Sequence, residues 1–140
     1  MLYNYSIKYD FKCTPPPQIR EAPKVLLKEK DVYRLWLPVH RDFPKVERFG
    51  IGQKIEQSFL DVLELTFASI YLSTEQKILM LSRAITKLDN LKFFMQLAWE
   101  SKLIPTEKYA AISSELEEIG RMLGGWRKGL LEKEKTKLPQ

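Results

Sequence analysis

Residues 117–129 read EEIGRMLGGWRKG, and the fold turns on what these glycines do. Glycines beside basic residues suit a loop that cradles phosphate, but they also suit the closing turns of a packed helix. A Walker-type loop needs G-x-x-x-x-G-K-[ST] directly after a buried strand. Here Tyr109, Ile112, Leu116, Ile119, Leu123, Trp126 and Leu130 recur at alternating steps of three and four. That spacing keeps them on one helix face for about six turns. The glycines fall inside this repeat with no strand before them. Gly120 and Gly124 are four apart on one face, where a missing side chain admits a neighbouring helix. Gly125 loosens the last turns. The stretch is therefore a packed helix, and no phosphate loop is present.

The same periodicity extends toward the N-terminus. Ser73 with Gln76 three residues later has the form of a capping box, and it starts a helix near Thr74 that runs to about Ser101. Its expected core stripe is Ile78, Leu81, Ile85, Leu88, Met95 and Trp99, interrupted once by Lys92. Phe93 and Phe94 add apolar surface beside it. Pro105 and the expected cap Thr106 separate this helix from the last one. Residues 51–72 form another helix, with Ile51, Ile55, Phe59, Val62, Leu63, Thr66, Phe67 and Ile70 on a wide apolar face. The first helix runs from about Val25 to Arg41, with Val25, Val32, Leu35 and Val39 as a stripe that Leu26, Tyr33, Trp36 and Leu37 widen. Pro38 lies inside it and is expected to kink or shorten it. Pro44 and Gly50 punctuate the turn that follows.

Residues 1–23 are different. Tyr3, Tyr5, Ile7, Tyr9 and Phe11 alternate with mostly polar residues, the period of a strand with one buried face. CTPPPQIREAP then breaks regular structure. Nothing else in the chain alternates, so this arm is either free or pairs with another chain. The expected organisation is an arm and proline-rich linker at 1–23, an all-α bundle at 24–131 and a polar tail at 132–140. Four helices with short connections favour an antiparallel up-down-up-down four-helix bundle. Phe93, Phe94, Trp99 and Trp126 either thicken its core or form a second buried face between subunits.

Composition narrows the function classes. Hydrophobic residues at 44% and charged residues at 29% of 140 describe one soluble domain. No run of about 18 apolar residues exists, which argues against a membrane span. The first residues lack an apolar core of the secretory type. Cys13 is the single cysteine, so no internal disulfide forms, which fits a reducing cytoplasm. The single histidine, His40, excludes histidine dyads, and no spacing matches a zinc or calcium site. No catalytic constellation can be assembled, and neither a cofactor nor a metal is expected. Glu117 and Arg121, four apart, read as a surface ion pair. Asp61 and Glu64 read as a solvated helix edge. The net charge of +5 favours an anionic partner, with nucleic acid ahead of an anionic membrane surface. The alternative is that the charge serves solubility alone.

Two segments, FPKVERFGIGQKIEQSFLDVLE and EEIGRMLGGW, are specific enough to carry a family resemblance. Together with the helices between them, over roughly residues 30–130, they resemble the accessory variability determinant (Avd) proteins of diversity-generating retroelements. That family is related to four-helix bundle proteins encoded by intervening sequences in ribosomal RNA genes. The resemblance implies a non-enzymatic accessory protein that assembles as a homopentameric barrel with a basic surface. It also implies binding to a reverse transcriptase and to RNA or DNA, in support of error-prone cDNA synthesis. The N-terminal arm departs from the family pattern.

Nine basic residues are candidates for nucleic-acid contact. Arg34, Arg41, Lys45 and Arg48 gather around the end of the first helix. Arg83 and Lys87 are four apart on the third, and Arg121, Arg127 and Lys128 come late in the fourth. Phosphate contacts of this kind are individually weak, collectively strong and salt-sensitive. Without aromatic residues interleaved among the bases of the patch, little base specificity is expected. The competing expectation is an oligomeric adaptor that binds only protein partners.

Overall fold

In the computed structural model, which describes residues 23–137, the chain is helical throughout, and no strand occurs among the described residues. Four long helices, α1 (Lys24–Arg41), α3 (Ile51–Ser69), α4 (Thr74–Glu100) and α5 (Thr106–Lys137), are joined by turns, with a single helical turn, α2 (Lys45–Arg48), between the first two. α1 packs on α3 and α5, and α4 packs on the same two. Neighbours along the chain are thus neighbours in space, and the ring closes between first and last. This is the up-down-up-down four-helix bundle expected from the short connections. The arm expected at residues 1–23 lies outside the described residues except for Pro23.

Prolines open three of the helices. Pro23, Pro44 and Pro105 precede α1, α2 and α5, and their carbonyls accept from Leu26 N (3.1 Å), Arg48 N (2.8 Å) and Tyr109 N (2.9 Å). A proline there loses nothing, because its missing N–H would have had no helical partner and its fixed φ suits a helix start. Thr106 was the expected cap, but it is the first helical residue. Its Oγ1 instead accepts from Trp99 Nε1 at 3.1 Å. Ser73 does cap α4, with its Oγ accepting from Gln76 N. Pro38 does not shorten α1, which continues to Arg41. In the last turn the ring removes only the bond to the Arg34 carbonyl, and a helix end tolerates that loss.

The core stripes correct the sequence reading in three helices. α3 ends at Ser69 and not at residue 72, and Phe67, expected on its apolar face, is 43% exposed because the buried stripe runs through Phe59, Val62, Thr66 and Ser69. On α4 the buried residues are Leu81, Ala84, Leu88, Leu91, Met95 and Ala98, at unbroken steps of three and four. Lys92 does not interrupt them. The two alanines were overlooked because they are small, and they are buried because they let neighbouring helices approach. On α1 the stripe is Val25, Glu29, Val32, Trp36 and Val39. Leu35 was expected inside and is 49% exposed. A glutamate holds the stripe position that the sequence reading skipped. The α5 stripe is as expected, with Ile112, Leu116, Ile119, Leu123 and Leu130 buried and Tyr109 and Trp126 packed at its margin. α5 also continues six residues into the stretch expected to be a polar tail, from 132 to Lys137.

The opening glycines lie inside α5, as the periodicity required. Only Gly120 meets another helix within the chain: a Cβ there would stand 3.2 Å from Lys92 Nζ and 3.4 Å from Leu88 Cδ2. Gly124 and Gly125 face open space, so the expected Gly120–Gly124 packing face is only half used within one chain.

α4 ends in a Schellman motif, with Leu103 N donating to Ala98 O and Lys102 N to Trp99 O, both at 2.9 Å. The left-handed position is held by Lys102, φ 64°, where glycine is usual. Lys102→Gly removes the Cβ strain. It is expected to raise the unfolding free energy by about 0.5–1 kcal/mol, measurable by urea denaturation.

Candidate nucleic-acid interface

The corner that joins α1 to α3 is built on one carboxylate. Glu56 on α3 accepts from Tyr33 Oη through Oε2 and from Trp36 Nε1 through Oε1, the latter at 2.9 Å. His40 Nδ1 lies 3.6 Å from the same Oε1. Burial, together with the adjacent Glu56 carboxylate, pushes the Tyr33 phenol up to about 12, so it remains a donor in this cluster. Trp36 is completely buried. Its ring stacks on His40 at 5.0 Å and meets Phe43 edge-on at 5.6 Å. Phe43 is buried in turn, which draws the chain inward just after α1 and fixes where the next residues emerge.

Two more bonds tie α2 to this base. His40 Nε2 donates to the Arg48 carbonyl at 3.2 Å, and Arg48 Nη2 donates to the Phe43 carbonyl at 3.2 Å. Gly52 lets the corner close. A Cβ there would stand 2.8 Å from the His40 ring and 3.0 Å from the Glu47 carbonyl. Gly52→Ala is therefore expected to destabilise by about 1–3 kcal/mol, despite alanine's better helix propensity of about 1 kcal/mol. Thermal unfolding followed by circular dichroism measures the balance.

Upon this frame the basic residues divide by how free their charges are. Arg41 and Lys45 are exposed on either side of the turn. Arg34, seven residues before Arg41 and so on the same face of α1, is also exposed, with only an i,i+3 contact to Asp31 at 3.1 Å. Such surface pairs hold little energy and yield readily to a phosphate. Arg48 is different: it is half-buried, bonded to the Phe43 carbonyl, and its Nε is buried without a partner. Its guanidinium organises the corner and is not a free cation.

The other candidates do not join this group. Lys87 lies 3.5 Å from Asp61 across the α3–α4 groove, where Arg83 and Glu64 also sit, so positive and negative charges alternate there. Asp61 and Glu64 form a partly solvated edge, as expected. Arg121 is bound to Glu118 through Nε (3.1 Å) and Nη2 (2.7 Å), which holds the Glu118 carboxyl below its ordinary range. Its expected partner Glu117 instead reaches Lys92 on α4 at 3.4 Å. Arg127 is half-buried with an unpartnered Nε, and Lys128 is exposed. Arg41, Lys45 and Arg48 lie at the end of the bundle where α1 finishes, whereas Arg127 and Lys128 lie toward the opposite end, where α5 finishes. The nine residues are thus several separate clusters.

Of the aromatics considered for a second face, Phe94 and Trp126 pack against the core. Trp99 stacks on Tyr109 at 4.8 Å. Phe93 alone stays outward, 61% exposed. A cleft of about 680 Å³ opens between the end of α1 and the α4–α5 turn. It contains neither histidine nor cysteine, and its charged residues Asp42, Glu100, Lys102 and Lys108 are all exposed. Among the described residues no three His, Cys, Asp or Glu side chains converge to hold a metal ion. No helix among them is long and apolar enough to cross a membrane.

The family model described as bAvd-like matches residues 25–130, from the first turn of α1 to the last buried leucine of α5. No curated protein matches the chain. The match takes in the whole corner built on Glu56, the four long helices and their core, and with most of the chain covered the protein belongs to the bAvd-like family.

Proposed function

We propose that this protein is a non-catalytic accessory subunit of a diversity-generating retroelement. In this reading it binds template RNA or cDNA and the reverse transcriptase in the cytoplasm, and so supports mutagenic cDNA synthesis. Family membership over residues 25–130 is the observation that carries it. The basic corner supports it: Arg34, Arg41 and Lys45 are exposed on a rigid frame, and a net charge of +5 favours anionic partners. Binding here rests on phosphate contacts from these three cations, and the exposed ring of Phe49, four residues after Lys45 at the end of α2, is available to stack on a base. Assembly as a homopentamer belongs to the same proposal. It would repeat the corner around a ring and multiply weak contacts into avidity.

The test is fluorescence anisotropy of labelled RNA and single-stranded DNA over a salt series. Replacing Arg34, Arg41 and Lys45 together with Glu is expected to weaken binding at least tenfold. It should also lower the slope of log affinity against log salt by roughly two per subunit engaged, from about 0.7 per lost contact on a single strand. Helicity and melting temperature should hold. Unchanged affinity in the triple variant would place the interface elsewhere. Copurification with a reverse transcriptase tests the second partner.

One observation favours the competing adaptor reading. The outer face of α4 carries Leu79, Phe93 and Leu97, all exposed, a surface better suited to protein than to phosphate. An adaptor of this kind binds its protein partner equally well in the triple variant and shows no salt-dependent nucleic-acid affinity.

A further inference from the structure

An open apolar surface lies along the junction of α1 and α3. The second half of the outer α3 face carries Leu60 and Phe67, 38% and 43% exposed. With Leu63, Ile70 and Leu26 of α1 they line a groove of about 500 Å³. Lys30 and Glu64 are the charged residues on its rim. Leu26 lies three residues past Pro23, where the chain runs into α1, so the groove begins where residues 1–22 join the bundle.

We infer that this groove is the docking site for the N-terminal segment of the same chain, with the alternating residues Tyr5, Ile7 and Tyr9 seated against Leu60, Leu63 and Phe67. Three arguments select that occupant. The first is pattern: residues 3–11 place an apolar side chain at every second position, so an extended segment presents one apolar edge. The second is length. From Leu60 to Ile70 the groove runs about 15 Å along the helix axis, and three alternate side chains of an extended segment span about 13 Å. The intervening residues 12–23 reach up to roughly 40 Å when extended, which is ample to bring the segment back along α3. The third is tethering: a segment joined to the groove by a short linker acts at an effective concentration on the order of millimolar. A free partner would have to compete with that. The segment also precedes the family match, which starts at residue 25, so the inference concerns a feature of this chain beyond its family fold. It is independent of nucleic-acid or polymerase binding.

The test uses the full chain with a photoreactive residue on the groove rim, Glu64→p-benzoylphenylalanine. Chains of natural isotope content and ¹⁵N-labelled chains are refolded together, irradiated, digested and analysed by mass spectrometry. Crosslinks from position 64 to peptides within residues 1–12, of uniform isotope content, are expected. Replacing Tyr5, Ile7 and Tyr9 with Asp should reduce their yield at least tenfold while leaving the helical circular dichroism signal unchanged. Mixed-isotope crosslinks would assign the groove to a second copy of the chain and overturn the inference. So would crosslinking that never reaches residues 1–12, or a yield that survives the Asp substitutions.

Discussion

The folded chain is expected to lose about 3 kcal/mol of stability as pH rises from about 4.5 to about 8, and Glu29→Gln is expected to abolish most of that slope. Glu29 occupies a core position of α1 and is 2% exposed. Thr66 Oγ1 donates to its Oε2 at 2.9 Å, but Oε1 is buried without a partner. The surroundings are Phe59, Val62 and Leu63 of α3, Leu88 and Leu91 of α4, and Leu116 and Ile119 of α5. None of these carries a charge. Burial raises the carboxyl from the ordinary 4.5 to about 8, outweighing the Thr66 hydrogen bond, which acts in the opposite direction. The folded state therefore holds a proton that the unfolded state releases. Stability is fully present below the unfolded value of 4.5 and is lost as pH rises through the folded value of about 8. The interval of 8 − 4.5 = 3.5 pH units sets a ceiling of about 5 kcal/mol at 1.36 kcal/mol per unit. Relaxation around the ionised group and water entry reduce the realised loss to about 3 kcal/mol. Glutamine has nearly the same shape and does not titrate. Urea denaturation of both proteins across this range should give diverging curves, with the variant more stable relative to wild type at pH 8 than at pH 5. Parallel curves would mean that Glu29 is solvated in the native state.

Trp36→Ala is expected to cost about 4 kcal/mol, the largest single loss in the α1–α3 corner. Complete burial of the indole accounts for most of it, since truncating a buried tryptophan leaves a cavity worth about 3–5 kcal/mol. Four partners lose support as well: His40, Phe43 and Phe59, which pack on the ring, and Glu56, which accepts from Nε1. The effect should extend beyond the core. Phe43 anchors the turn before α2, so amide exchange in residues 42–50 is expected to accelerate more than exchange in α4. Trp36→Phe keeps most of the volume but not the donor, and should cost less than half as much. Equal losses in the two variants would show that the hydrogen bond to Glu56, and not packing, dominates.

These two residues show where reading the sequence stopped. Helix existence and order were legible because a helix repeats every 3.6 residues. Apolar residues at steps of three and four identify a buried face without reference to any other segment. On that basis the α5 stripe, the helical character of the glycine-rich stretch and the Ser73 cap were all readable. The family resemblance rested on the same segments that the bAvd-like family model covers. Periodicity fails where one position breaks chemical type. Glu29 holds a core position that a charged residue seldom takes, so the α1 stripe was read with a gap at that position, and Leu35 was placed inside where its neighbour Trp36 belongs. On α4 two buried alanines were too small to register, and larger neighbours drew the stripe away from them.

The pairings between helices were decided only in three dimensions. Glu117 has a plausible local partner in Arg121, yet Lys92 on the adjacent helix reaches it and Arg121 turns to Glu118. Nothing in the spacing along one helix selects between these, because the choice depends on how two helices are rotated against each other. Arg48 looked like one more free cation in a basic run, but the inward turn of Phe43 brings a carbonyl into its reach. Gly52 looked like ordinary punctuation until the His40 ring closed over it. Local periodicity thus determined that this protein is an antiparallel bundle of helices. Packing decided which charges remain free for a partner, because a side chain's availability depends on neighbours remote in sequence.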